Sequence, residues 1–276
     1  MSCSTLSLAA AEELAGTASV ASRWLVVEVG GAWGRDVVAD TELPSAVRER
    51  LDSWTESEDG SRVLFVRRPD RRGPQATVLA ARSAEDGGEL RRLRLPSLQA
   101  LTDADVDAGE RLDGPLVLVC VHGRRDPCCA RLGVPVFDAL AAEVTPELLW
   151  QSSHQGGHRF AANVLALPSG ISLGRVAPES ASAVATELRA GRIPLEHFRG
   201  RTIHPPPAQA AEAAVRSRFG LRNLADVRVL EVDSSRVVVQ VPDGLLNVVV
   251  DATEGPVRPE SCAAEPVPAT TYSVRW

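Results

Sequence analysis

Pro115-Leu116-Val117-Leu118-Val119-Cys120-Val121-His122-Gly123-Arg124-Arg125-Asp126-Pro127-Cys128-Cys129 is the stretch on which the reading of this chain turns. It opens as a continuous apolar run, entered through a proline and left at a glycine. A run without polar alternation suits a central strand covered on both faces. The polar remainder predicts a loop from Gly123 to Cys129 leaving that strand. Working outward, Val136, Phe137, Leu140 and Ala141 make the apolar set of a helix over about 134–142, and Leu148 to Gln151 reads as a second strand. Asn163 to Leu167 and Ile171 to Val176 make a hairpin around Pro168-Ser169-Gly170, where proline sets one φ and glycine frees the next. Residues 180–190 carry Ala181, Val184, Ala185 and Leu188 at helical spacing.

The order of this unit is β-α-β-(α)-β-β-α, that of a thioredoxin fold. Upstream, a helical segment around Leu6–Leu14 precedes a strand over Trp24–Val29. A helix over Leu43–Trp54 follows, with Val47, Leu51 and Trp54 on one face. A strand over Arg62–Arg67 and a hairpin of Thr77–Arg82 with Leu90–Leu95 complete the unit. Residues 96–114 read as a short helix and a boundary. Downstream, Pro205-Pro206-Pro207 reads as a stiff linker, and Ala208–Phe219 as an alanine-rich helix stopped by Gly220. Val227–Val232, Arg236–Val241 and Leu245–Val250 read as an antiparallel meander, with a last strand over Tyr272–Trp276. The expected class is α/β. Residues 1–110 form a degenerate thioredoxin-like α/β unit, 111–204 a thioredoxin-like domain, and 205–276 a small α+β meander.

The 276 residues carry a formal net charge of -6 with 44% hydrophobic residues, an ordinary globular composition. An acidic balance argues against a nucleic-acid partner. No apolar run approaches the ~18 residues of a membrane span, and the first residues lack the basic start and apolar core of a signal peptide. A cytoplasmic location and no membrane partner are therefore expected. In that compartment clustered cysteines point to metal or redox chemistry rather than to disulfides.

Three of the five cysteines and three of the five histidines lie between Cys120 and His158. Six residues are candidate ligands: Cys120, His122, Cys128, Cys129, His154 and His158. Cys120 and Cys129 are spaced C-x8-C, wider than the two to four residues usual between paired cysteines of a structural zinc site. His154 and His158 are spaced as i and i+4, but Gly156 and Gly157 between them predict a bent loop or a helix start rather than a helix interior. Cys120-Val121-His122 has the alternation of one half of a Rieske site, but the second segment has no cysteine, so that assignment fails. Cys3 and Cys262 stand alone and read as incidental and as a small core residue. No carboxylate pair stands out as a glycosidase acid and nucleophile.

Cys120-x-His122-Gly123-x-Arg125-Asp126-x-x-Cys129 followed by His154-x-Gly156-Gly157-His158-Arg159-Phe160-Ala161 resembles the sucrase/ferredoxin-like family of thioredoxin-like ferredoxins. Gly16-Thr17-Ala18, Trp24-Leu25, Gly174-Arg175 and Ser261-Cys262 extend the similarity. The resemblance implies a [2Fe-2S] cluster held by two cysteines and two histidines, which fall on Cys120, Cys129, His154 and His158, with Cys128 and His122 as reserve candidates. Two thiolates and two neutral imidazoles would leave an oxidised two-iron core neutral. The potential should then lie above that of an all-cysteine ferredoxin and depend on pH.

The expected function is therefore one-electron transfer with an unidentified redox partner protein, as a carrier more than a catalyst. A zinc-stabilised binding module, and a thiol-based oxidoreductase using Cys128 and Cys129, are the alternatives. Donor, acceptor, pathway and oligomeric state stay open.

Overall fold

The computed structural model describes residues 1–69 and 73–276. Its elements in chain order are α1 (Cys3–Ala9), β1 (Arg23–Glu28), α2 (Ser45–Glu56), β2 (Ser61–Arg67), β3 (Ala76–Arg82), β4 (Glu89–Leu95), β5 (Glu110–Arg111), β6 (Leu116–Cys120), α3 (Pro127–Leu140), β7 (Leu149–Ser152), β8 (Val164–Leu167), β9 (Ile171–Leu173), α4 (Ala181–Arg189), β10 (Phe198–Arg201), α5 (Pro206–Phe219), β11 (Arg228–Asp233), β12 (Arg236–Val241), β13 (Gly244–Pro259) and β14 (Pro266–Arg275). The chain is a mixed α/β protein. None of its described helices is long and apolar enough to cross a membrane.

Ten strands form one sheet in the order β10-β9-β8-β6-β7-β2-β1-β3-β4-β5. The same arrangement occurs twice within it. β6 pairs β7 in parallel and β8 antiparallel, and β8 pairs β9 antiparallel. β1 pairs β2 in parallel and β3 antiparallel, and β3 pairs β4 antiparallel. The two sets meet edge to edge where β2 and β7 pair antiparallel. Residues 1–110 and 111–204 thus contribute to one sheet.

Alternation assigns the faces. Leu25 and Val27 pack with Val47, Leu51 and Trp54 of α2, while Trp24 and Val26 pack with Leu64, Leu118, Trp150 and Leu165 on the other face. Val117 and Val119 pack with Val136, Phe137 and Leu140 of α3 and with Val184 and Leu188 of α4. The apolar run around β6 has both its faces in a core, so every residue of that strand is buried.

Residues 205–276 form α5 and a separate antiparallel sheet, β11-β12-β13-β14. Val215 of α5 packs on Val237, Val239 and Val248. α5 meets the rest of the chain through both apolar and polar contacts: Ala213 joins the core of the large sheet, while Gln209 exchanges hydrogen bonds with the backbone of Ala18 and donates to the His204 carbonyl. β13 and β14 extend beyond the meander, and the end of β13 reaches α1.

Several elements differ from their expected bounds. α3 begins at Pro127 rather than near 134. Gly133 and Pro135 look like breakers, but Asp126 accepts a hydrogen bond from the Cys128 N–H as the N-cap, and Pro127 takes the first helical position, where its missing donor costs nothing. The expected Gly123–Cys129 loop therefore ends in a helical turn carrying both cysteines. The prolines expected to be a linker instead open α5, with Pro205 at its N-cap. α1 stops at Ala9, short of Leu14. The last strand starts at Pro266, not Tyr272. The short helix expected within 96–114 is a 3-10 turn over Leu98–Thr102.

Candidate metal centre

β6 and β7 are parallel and in register, Cys120 opposite Ser152. Their C-terminal ends lie side by side, the place in a parallel sheet where ligands are bound. Cys120 is the last residue of β6, and the segment containing His154 leaves β7 directly. The first turn of α3 returns to the same edge and presents Cys129. The Sγ atoms of Cys120 and Cys129 and a ring nitrogen of His154 all lie within 4.8 Å of one another. His154 Nδ1 is 4.0 Å from the Cys120 sulfur and 3.8 Å from that of Cys129.

His158, the fourth expected ligand, stands behind His154 rather than in this close group. Its Nδ1 is 3.4 Å from His154 Nε2, and the ring centroids are 4.9 Å apart. Its Nε2 is buried, makes no hydrogen bond, and lies 3.8 Å from an Asp126 oxygen. A buried ring nitrogen without a partner is costly, and a metal ligand bond would satisfy it.

The reserve residues are turned elsewhere. His122 donates from Nε2 to the Gly34 carbonyl at 2.7 Å, and its Nδ1 accepts the His154 N–H at 3.3 Å. Its ring meets Trp33 edge-on. Both nitrogens are used, so His122 orients His154 through the backbone. Cys128 points away from Cys129, into a different group.

The 154–157 loop is held carbonyl by carbonyl. Arg62 donates to the carbonyls of His154 and Gln155, Arg199 to that of Gly156, and Asn163 to that of Gly157. The Gln155 side chain donates to the Leu118 carbonyl and the Ser152 hydroxyl. Turning four carbonyls outward requires positive φ, +97° at Gly156 and +69° at Gly157. A Cβ on Gly157 would sit 2.4 Å from the Arg199 guanidinium. The glycines thus seat the loop against Ser19 and Arg199, and the two histidines emerge from a fixed backbone.

The electrostatics suit a cation. The two thiols are pushed in opposite directions: the hydrogen bond from Cys129, against the opposing effect of burial and helped by His154, holds Cys120 well below the ordinary thiol range, while the same bond and burial push Cys129 up. Burial, and then the neighbouring His154, lower the pKa of His158 and favour the neutral imidazole that a metal needs.

A second group lies on the other side of α3's first turn: Cys3, Asp126, Cys128 and Cys262, again with ligand atoms within 4.8 Å of one another. Cys3 is not incidental in this fold. It is fully buried, 3.5 Å from Cys128, and Cys262 is an exposed turn residue rather than part of a core. No spacing rule connects positions 3, 128 and 262. The signal available was the odd cysteine count, together with the Asp-Pro helix start that turns Cys128 and Cys129 in different directions.

The sucrase/ferredoxin-like family model matches residues 14–200, which include Cys120, Cys129, His154 and His158. The chain belongs to the sucrase/ferredoxin-like family. Cys3 and Ser261-Cys262 lie outside the matched residues of this family member. It is also 33% identical over 95 residues to "Altered inheritance of mitochondria protein 32" of Meyerozyma guilliermondii, across 31% of this chain and 34% of that protein. The match thus spans about a third of that relative's length. No solved structure matches. Together these findings establish a sucrase/ferredoxin-like protein with Cys/His groups able to hold metal.

Proposed function

We propose that Cys120, Cys129, His154 and His158 hold a [2Fe-2S] cluster and that this protein is a one-electron carrier. The observation that carries the reading is the convergence of two buried thiols with His154 at the ends of β6 and β7, backed by His158 with its unpartnered buried nitrogen. The donor set fits the group: two thiolates balance the charge of an oxidised two-iron core and two neutral imidazoles add none. When bound, the cluster supplies a one-electron couple at a potential above that of an all-cysteine ferredoxin.

The chain's own groups favour an extra negative charge there. Arg62 and Arg199 reach the carbonyls of the loop, and Cys129 sits in the first turn of α3, at the positive end of the helix dipole. The strand order β9-β8-β6-β7, with β6 and β7 parallel and the other two pairings antiparallel, supports a thioredoxin-like reading of residues 111–204. Arg124, exposed beside the site, suits a redox partner with an acidic face.

The test is iron and sulfide analysis of anaerobically purified protein, with electron paramagnetic resonance after dithionite reduction. His154→Cys and His158→Cys should each keep a two-iron signal but shift its g values. Spectra identical to wild type in both variants would remove histidine from the ligand set. One feature favours a second reading, a mononuclear zinc site in a binding module: Cys120, Cys129 and His154 close around one point with His158 outside it. Zinc without iron or sulfide in the protein would decide for it. A thiol oxidoreductase built on Cys128 and Cys129 has less support, because their sulfurs belong to different groups.

A further inference from the structure

The three sulfurs of the second group form a nearly equilateral triangle. Cys3 and Cys128 are 3.5 Å apart, Cys128 and Cys262 3.4 Å, and Cys262 and Cys3 3.6 Å. Asp126 Oδ1 lies 3.2 Å from the Cys262 sulfur and 3.8 Å from that of Cys3. We propose that Cys3, Cys128, Cys262 and Asp126 are the four ligands of a structural zinc site. This zinc would clasp α1 and the β13–β14 turn onto the start of α3.

The geometry is that of one ion. With zinc–sulfur bonds of about 2.3 Å, the edge of a tetrahedron is about 3.8 Å, close to all three observed sulfur separations. Three thiols on one side of that length leave a fourth corner, and Asp126 faces it. Thiolates bridged through two different metals of a cluster would be spread further apart. No two sulfurs are within bonding distance, and a disulfide between any two would strand the third.

The surroundings are built as a ligand's surroundings are. Asp126 is oriented by two backbone donors, the N–H of Cys128 on Oδ1 and the N–H of Cys262 on Oδ2, both at 2.9 Å. The Ser4 hydroxyl donates to the Cys128 sulfur at 3.3 Å. Three thiolates and a carboxylate around a dication leave negative charge, and it falls at the N-terminal end of α3, where helix N–H groups favour it. Cys3 and Cys128 are buried while Cys262 is exposed, which gives zinc an entry path.

The site is distinct from the Cys120 centre. It has no histidine, and Cys3 and Cys262 lie beyond the residues the family model matches. It also explains a topological oddity. The β13–β14 hairpin runs past its own sheet to deliver Cys262 to a helix start far away in sequence. The same hairpin anchors there through Arg258, paired with Glu12 at 2.6 Å.

The experiment uses the full chain, produced with zinc(II) supplied. One equivalent of zinc should be found in addition to the metal of the Cys120 centre. Its X-ray absorption should fit three sulfurs and one oxygen or nitrogen. Cys262→Ser, at an exposed position, should lose that equivalent while leaving the iron content and visible spectrum unchanged. Asp126→Asn should weaken zinc retention against a chelator at least tenfold, with the circular dichroism of wild type. Absence of zinc from wild type overturns the proposal. So does a zinc shell of two sulfurs and two nitrogens, which would place the ion at the other centre. So does a disulfide joining any two of the three cysteines in anaerobically isolated protein, read by mass after alkylation. Zinc without iron in a three-sulfur shell would support this site and refute the cluster reading; iron without zinc would do the reverse.

Discussion

Replacing Glu12 by glutamine should destabilise the protein out of proportion to one atom. Glu12 is 3% exposed. Its Oε1 accepts from Arg258 at 2.6 Å and from Arg159 at 2.8 Å, and its Oε2 accepts from the Ser7 hydroxyl at 2.7 Å. Its backbone carbonyl accepts from Arg175. The carboxylate therefore joins the segment after α1, the end of β13 and the residue next to His158. Arg258 is also 3% exposed, its other carboxylate, Glu260, is 3.9 Å away, and its Nε and Nη1 are buried without hydrogen bonds. Glutamine keeps the Ser7 contact but leaves this guanidinium buried without a close counter-charge.

Breaking one side of a buried pair costs about 3–5 kcal/mol. Arg159 adds at most about 1 kcal/mol, since its side chain is 16% exposed and can reach water. The sum corresponds to a fall in Tm on the order of 10 °C for a chain of this size. Urea unfolding followed by circular dichroism measures it. The dependence on pH is a second readout. Burial alone would raise the Glu12 pKa, but the hydrogen bonds from Arg258 and Ser7 and the Arg159 charge outweigh it and hold the pKa below the usual value. A depressed folded pKa means that the stabilisation is complete above the unfolded value, about 4.3, and is lost as pH falls through the folded value. The gap between wild type and Glu12→Gln should therefore close in acid. The apolar pair Glu12→Leu with Arg258→Met should recover most of the loss. A Glu12→Gln variant within about 1 kcal/mol of wild type at pH 7 would refute the reasoning, because the pair would then be behaving as a surface one.

Three further outcomes are expected. Gly157→Ala places a side chain at φ +69° and against Arg199; it should cost about 1–2 kcal/mol in backbone strain alone and reduce metal content at the Cys120 centre, read by metal analysis beside a melting curve. Arg216→Met removes a fully buried cation that bonds Glu212 and the carbonyls of Leu221, Asn223, Leu224 and Val227; about 3–5 kcal/mol should be lost, with α5 and the four-stranded sheet the first to lose hydrogen-exchange protection. Chelation of the zinc-loaded protein should lower Tm in proportion to the logarithm of the metal affinity, and Cys262→Ser should have a lower starting Tm and a smaller further fall.

The expected catalogue of strands and helices rested on local chemistry, and where that chemistry was one-dimensional it located the element. The run from Leu116 to Cys120 must be covered on both faces, whatever covers it. Val47, Leu51 and Trp54 share a face by spacing alone. At two helix starts the local pattern misplaces the boundary: Asp126 caps α3 at Pro127, and the prolines expected as a linker open α5, so both helices begin earlier than expected. A cap is recognised by which N–H it satisfies, and that requires the neighbouring turn in three dimensions.

The same division holds for the site. The C-x8-C and H-x3-H spacings leave six candidate ligands open, and it is the resemblance to the sucrase/ferredoxin-like family that implies Cys120, Cys129, His154 and His158. Only the tertiary structure separated Cys128 from Cys129. Adjacent residues on a helix start diverge by about 100°, and which of them meets Cys120 depends on how α3 packs against β6. Only the tertiary structure, too, brought Cys3 and Cys262 to Cys128. Positions 3, 128 and 262 are joined by a sheet pairing, a helix cap and an overhanging hairpin, and long-range contacts of that kind leave no periodicity in the chain that makes them.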